Sequence, residues 1–285
     1  MIYVSSSCLK NKYISETVEQ LAIVGIRYIE LSGGTDYYPD LEEDLIKLKK
    51  KYDLYYTCHA YFPPPKEPIV VNLASCDDDI YQKSISHYEN CIQLMEKLDC
   101  RILSVHAGFL IRIEAGKIGK RLNCVVIYNE EKAYDRFCSA YAYLNNLCQK
   151  KGITLYLENN VLSEENYQEF EQHNYLMMTD YDSIMRMREK IDFNLLLDLG
   201  HLCVSTNALN LDFGEECNKL KQYVKWIHVS ENNGIADQHY PIIRDSAISD
   251  ELRKIYLQGT NITLETIGNI EEIKNSIKYI DKVLK

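Results

Sequence analysis

The chain has 285 residues, 46% hydrophobic and 26% charged, with a formal net charge of -10. That length can bury a substantial core, as two average domains or as one large barrel. The acidic total argues against a nucleic-acid binder, whose affinity comes mostly from a basic face that neutralises phosphates. No apolar run approaches the roughly eighteen residues that span a bilayer.

Ile2 to Val4 is a short apolar run, and Ser15 to Val24 follows with helical spacing and a Ser/Glu start suited to a capping box. Gly25 closes that helix. Ile26 to Leu31 (IRYIEL) reads as a second strand, and Leu41 to Lys51 as a charged amphipathic helix. Leu54 to His59 is a third strand, with Pro63 to Pro65 stiffening the loop beyond it, and a long helix covers Asp78 to Leu98. Arg101 to His106 is a fourth strand. A loop with Arg112, Lys117, Lys120 and Arg121 among Gly108, Gly116 and Gly119 reads as a solvated hairpin in preference to a substrate-anion contact.

Tyr128 to Lys151 is helical, with Gly152 placed as its cap. Ile153 to Glu158 is a fifth strand, Tyr181 to Lys190 a helix and Asn194 to Asp198 a sixth strand. A helix is expected over Leu209 to Gln222, a seventh strand over Val224 to Val229, and a helix over Ser246 to Leu257. Ile262 to Glu265 is the eighth strand, and Ile270 to Leu284 the closing helix. Strands and helices that alternate without a composition break demand a parallel sheet with crossover helices. Eight such units fit one (β/α)8 TIM barrel over residues 1–285. No GxGxxG follows the first strand, which removes the main dinucleotide-binding alternative.

Ten cysteines occur between Cys8 and Cys217 without a CxxC pair, and Cys58, Cys91 and Cys203 sit in apolar runs, where free thiols act as small hydrophobes. The start, MIYVSSSCLKNKY, lacks the order of a signal peptide. The expected setting is reduced, cytoplasmic and soluble, with no membrane partner.

In such a barrel the working residues sit at the C-terminal ends of strands. His59, His106, Glu158 and Asp198 end the third to sixth strands, His228 lies one residue from the end of the seventh, and Glu265 ends the eighth. Taken alone, Asp198 in FNLLLDLGH is a turn-forming aspartate after an apolar run. Six successive strands finishing in His, Asp or Glu change that reading. Carboxylates converging on one mouth repel unless a cation neutralises them. Glu158, Asp198 and Glu265 with the imidazole of His228 form an oxygen-rich set for one divalent ion such as Mn2+, Mg2+ or Co2+, and Zn2+ competes if more histidines join. His201, Asp237 and His239 follow in the loops, which leaves only His87 and His173 as ordinary residues.

The chain resembles the xylose-isomerase-like TIM barrels, which include sugar isomerases and epimerases, inosose dehydratases and the endonuclease IV type of apurinic endonuclease. The likeness rests on Ile29-Glu30-Leu31, His106-Ala107-Gly108, Leu157-Glu158-Asn159, Leu197 to His201, Ile227 to Asn232, Asp237-Gln238-His239 and Leu264-Glu265-Thr266. It implies that Glu158, Asp198, His228 and Glu265 ligate metal and that His201 faces the substrate. In the endonuclease branch, His59, His106 and Glu158 would share one zinc, while His201, Asp237 and His239 would hold another; Asn72-Leu73-Ala74-Ser75 also resembles that branch. Two departures stand out. Tyr240 to Arg244 replaces a Gly-x-Gly turn, and Glu231 stands where Asp is common.

The leading expectation is a metal-dependent isomerase or epimerase of a sugar, sugar phosphate or polyol in carbohydrate metabolism. Glu158 and Glu265 would act as general acid/base, with His59, His106 and His201 positioning hydroxyls. The alternatives are a zinc-dependent apurinic endonuclease with more than one Zn2+, and an inosose-type dehydratase. Homo-oligomerisation stays open.

Overall fold

The computed structural model describes residues 1–114, 116, 121–122 and 126–285. Eight parallel strands close a barrel: β1 (Ile2–Ser5), β2 (Tyr28–Leu31), β3 (Tyr55–His59), β4 (Ile102–His106), β5 (Thr154–Glu158), β6 (Asn194–Asp198), β7 (Val224–Val229) and β8 (Asn261–Leu264). Each pairs with its sequence neighbours, and β1 meets β8 through Ile2↔Ile262 and Val4↔Leu264. The (β/α)8 architecture expected from the alternation is therefore present.

Around it lie α1 (Ile14–Ile23), α2 (Leu41–Tyr52), α3 (Asp78–Lys97), α4 (Glu130–Lys150), α5 (Glu164–Glu169), α6 (Tyr181–Arg188), α7 (Leu199–Ala208), α8 (Phe213–Leu220), α9 (Ala247–Ile255) and α10 (Ile270–Val283). Most follow their predicted spans within a turn. At the start of α1 it is Tyr13 N, not Ser15, that donates to Glu16 Oε2. Gly152 takes φ +66° beyond α4, the left-handed geometry that glycine enters without penalty. Among the described residues, no helix is long and apolar enough to cross a membrane.

The stretch after β6 corrects the sequence reading. A helix was expected over Leu209 to Gln222, but α7 begins at once after Asp198, and α8 starts only at Phe213. Asp198 is the cause: its Oδ1 accepts the His201 backbone N–H at 2.7 Å and so caps α7. Leu199, Leu202, Val204 and Ala208 are all buried. A helix that is apolar on most sides shows no amphipathic stripe, so its sequence hides it.

The loop after β4 begins and ends in a two-stranded antiparallel ribbon, with Ile111↔Ile127 and Arg112↔Val126 paired. Arg112 faces Asp77 at 3.4 Å, and Arg121 binds Glu169 at 2.5 Å. Lys117, Lys120 and Gly119 lie outside the described residues.

Inside the barrel, side chains alternate in and out along each strand. The lower layer is aromatic: Tyr3, Tyr28, Tyr156 and Trp226 pack with Leu196 and Ile102. The layer above is polar, with Glu30, Thr57, Ser104, His228 and Thr263 all buried. One irregularity sets its level. Between Leu195 and Leu196 the pairing to β7 skips a residue, so Leu196 opposes Trp226 and Asp198 opposes His228. A bulge of this kind shifts the register of every later residue, and here it brings a carboxylate level with an imidazole.

The helical shell contains one buried group with a testable cost. His87 of α3 is 6% exposed, its Nε2 has no hydrogen-bond partner among the described residues, and burial pushes its pKa down from 6.5 to about 4. The unfolded chain takes up this proton as pH falls below 6.5, whereas the folded chain resists until about 4. Stability therefore drops across that window, by about 3 kcal/mol at its lower end. Urea unfolding at several pH values should show a shallower acid decline for His87→Gln than for the wild type. Equal declines would place the acid sensitivity elsewhere.

Candidate metal centre

All the predicted site residues converge at the C-terminal mouth of the barrel. Strand register does the placing: His59 pairs with Ser104, His106 with Glu158, and Asp198 with His228. Glu265 lies one residue beyond β8, where its N–H donates to Val229 O at 3.0 Å. Ligand atoms of Glu158, Asp198, His228 and Glu265 all lie within 4.8 Å of one another. His228 Nδ1 stands 3.4 Å from Glu158 Oε1 and 3.5 Å from Glu265 Oε2.

Both Glu158 oxygens, Asp198 Oδ2 and His228 Nδ1 are buried and lack a hydrogen-bond partner among the described residues. Buried polar atoms are normally satisfied, and a dry group of carboxylates needs positive charge. Three carboxylates and one imidazole with ligand atoms gathered around one point, those of Glu158, Asp198 and His228 unpaired among the described residues, fit a divalent cation.

The electrostatics carry the same message. Burial would raise the Glu158 carboxyl, but His106, His59 and His228 outweigh it and hold the group well below the usual range. Burial would lower the His228 imidazole, yet Glu30, Glu265 and Glu158 keep it well above its ordinary value. Burial also dominates at Asp198 and raises it; His201 opposes the shift and Glu158 reinforces it. A proton on His228 thus supplies the charge that a cation would supply.

Neighbouring groups lock these side chains. The Asn159 side chain accepts from Asp198 N at 2.7 Å and donates to Asp198 O at 3.1 Å. His201 Nδ1 donates to the Asn159 carbonyl at 2.9 Å, which turns Nε2 toward Asp237 Oδ2 at 3.3 Å. Asp237 in turn meets His239 Nε2 at 2.9 Å. His59 Nδ1 pairs with Ser104 Oγ at 2.9 Å and leaves Nε2 at 3.4 Å from Glu158 Oε2. His106 is the most exposed of these histidines; burial nonetheless lowers it to about 4, against the pull of Glu158.

Two quoted motifs acquire structural roles. Asn72 Oδ1 accepts from Ala74 N and Phe109 N, so the segment Asn72 to Ser75 clips the loop after β4 in place. Gly108 fits against it because a Cβ there would come within 2.5 Å of Ala74 Cβ. In the loop after β7, Tyr240 pairs with Glu231 through two backbone hydrogen bonds, and Ile242 is fully buried. Tyr240 to Arg244 thereby holds His239 over the site without a Gly-x-Gly turn. His239 itself takes φ +52°.

Glu30 is the residue that sequence reasoning left without a role. It is 1% exposed and its Oε2 lies 3.2 Å from His228 Nε2. Its place in an inward-facing position of β2, one residue before the strand's end, was the available signal.

The mouth opens into a cavity of about 410 Å³. His59, His106, His201, Asp237, His239 and Glu265 supply its polar side. Ala60, Tyr61, Val71, Phe109 and Val161 supply an apolar wall.

Solved barrels superpose on the whole chain. A D-tagatose 3-epimerase-like protein does so with a TM-score of 0.73 at 19% identity, covering 99% of this chain and 96% of that one. D-psicose 3-epimerase from Clostridium cellulolyticum H10 gives 0.65 at 14% identity, covering 100% and 99%. For 3-keto-D-glucoside 4-epimerase from E. coli the values are 0.66 and 12%, with 99% and 98% covered. At such identities the likeness is one of fold. No curated protein sequence matches the chain. The profile of the xylose isomerase-like TIM barrels matches residues 18–283, and the chain belongs to that family.

Proposed function

We propose that the protein is a divalent-metal-dependent isomerase or epimerase of a sugar, sugar phosphate or related polyol. The observation that carries this reading is the pair of buried glutamates, Glu158 on β5 and Glu265 beyond β8, flanking His228 Nδ1 at 3.4 and 3.5 Å below a cavity sized for a small substrate. Glu158, Asp198, His228 and Glu265 would hold the ion. When bound, it supplies Lewis acidity that makes a proton next to a substrate carbonyl removable by a carboxylate of low basicity.

The chain's own residues do the rest. One glutamate takes the proton from carbon, and the other, three strands further round the mouth, returns a proton at the opposite face or the neighbouring carbon. His201, its Nδ1–H held by the Asn159 carbonyl, presents its Nε2 edge beside Asp237 to a substrate hydroxyl. His59 and His106 line the same cavity and orient further hydroxyls. The structural neighbours named for epimerisation of ketoses support this class, as does the acidic charge of the chain. One barrel domain acting in cytoplasmic carbohydrate metabolism completes the proposal.

A second reading has its own observation. Ligand atoms of His59, His106 and Glu158 lie within 4.8 Å of one another, and His201, Asp237 and His239 form a separate contact chain. By the resemblance to the endonuclease branch, these would be the extra ligand sets of a zinc phosphodiesterase acting at abasic sites in DNA. Metal analysis of the purified protein separates the two: about one ion per chain favours the isomerase, about three zinc the nuclease. Incubation of the loaded protein with ketoses, their phosphates and inososes should yield an epimer or positional isomer by chromatography. Cleavage of an abasic oligonucleotide with no turnover of any sugar would reverse the order of the two readings.

A further inference from the structure

A hydrogen-bond chain running up from the barrel floor dictates which His228 nitrogen is free. Trp226 and His228 lie two residues apart on β7 and share its inner face. Trp226 is seated in the floor, with its ring 5.1 Å from Tyr3 and 5.6 Å from Tyr156. Its Nε1–H donates to Thr263 Oγ1 at 2.9 Å. An indole nitrogen can only donate, so the Thr263 hydroxyl accepts there and keeps one proton to pass on. That proton points to Glu30 Oε2, 3.2 Å away.

The same Oε2 meets His228 Nε2 at 3.2 Å. A carboxylate oxygen accepts from both, which places the imidazole proton on Nε2. In the neutral ring that would hold an ion, Nδ1 is then the lone-pair nitrogen, and it is the atom that faces Glu158 and Glu265. Reversing any one link would leave two donors or two acceptors opposed in a dry interior, at the cost of an unsatisfied group.

We propose that Glu30, aimed by Thr263 and Trp226, is the positioning residue of the metal centre: it fixes the His228 tautomer and presents Nδ1 to the ion. This rests on the metal-dependent reading above. Although ligand atoms of Glu30, His59 and His228 also lie within 4.8 Å of one another, Glu30 Oε2 is engaged by Thr263 and by His228 Nε2, and in this proposal it acts through His228. Loss of such a partner typically costs about 10–100-fold in metal affinity.

The test titrates Zn2+ into the full chain, stripped beforehand with chelator, by calorimetry. Glu30→Gln should weaken binding about 10–100-fold. Thr263→Val should weaken it less, and Thr263→Ser, which keeps the hydroxyl, should restore the wild-type value. Nitrogen-15 NMR of the zinc-loaded wild type should show His228 protonated at Nε2 and ligated through Nδ1. Unchanged affinity in both Glu30→Gln and Thr263→Val, or a proton on Nδ1, overturns the positioning role while leaving the metal reading intact. A wild type that takes up no zinc overturns the metal reading itself. Should Glu30→Gln not fold, the Thr263 pair and the wild-type NMR decide.

Discussion

Glu158→Gln is expected to lower turnover of the responsive sugar by roughly 10²–10⁴-fold, with Glu265→Gln of similar size. The change keeps the shape of each side chain and removes its charge. Glu158 has the larger burden, since both its oxygens are buried and lack a hydrogen-bond partner among the described residues, and four histidines face it: His59, His106, His201 and His228. An amide there would offer one weak acceptor and one donor to a site built from acceptors. Metal content should therefore fall together with turnover. Glu265, 6% exposed at the rim, is the better candidate for a group that loses proton transfer while metal is retained. Following substrate proton exchange with solvent in both variants separates these effects. Normal exchange in both would refute the assignment of the two glutamates.

The second large effect is on stability. Metal removal should lower the melting temperature, and saturation should raise it. At an ion concentration about 1,000 times Kd the gain is about 4 kcal/mol, which for a chain of this size corresponds to roughly 7 °C. The physical source is the cluster itself: Glu158, Asp198 and Glu265 are buried together, with His228 protonation as the substitute charge. Because His228 is held well above its ordinary pKa, uptake of an ion at neutral pH must displace a proton. Metal affinity should then rise with pH, and the calorimetric heat of binding should vary with the ionisation enthalpy of the buffer. A melting temperature indifferent to both chelator and added Mn2+, Co2+ or Zn2+ would show that the unpaired atoms have another purpose.

The strands were readable because their lengths and ends are set by burial. Asn194–Asp198 carries the apolar run Leu195 to Leu197, Val224–Val229 is apolar but for Lys225 and His228, and both strands begin and end where the sequence places them. The placement of ligand types at strand ends followed from the barrel rule, and strand register brings those side chains close together. What stayed hidden depends on depth inside the barrel or on side chains acting at a distance in sequence. Helix α7 lacks a polar face, so its periodicity is silent. Asp198 serves two purposes: Oδ1 caps the helix, as a turn-forming aspartate should, while Oδ2 remains for the site. Sequence alone could offer these as rival readings, whereas in the structure the cap occupies Oδ1 only and leaves Oδ2 without a partner among the described residues. Glu30 was visible as part of Ile29-Glu30-Leu31, but its link to His228 spans 198 positions and depends on the level of β2 relative to β7.

The most direct test of the account is solvent deuterium incorporation. The metal-loaded protein, incubated in D2O with the ketose panel, should introduce deuterium at the carbon next to the carbonyl of at least one sugar, and chelation should stop it. Proton magnetic resonance of the recovered sugar reads the result. A fully loaded protein that exchanges no carbon-bound proton in any ketose, ketose phosphate or inosose would contradict proton transfer by Glu158 and Glu265.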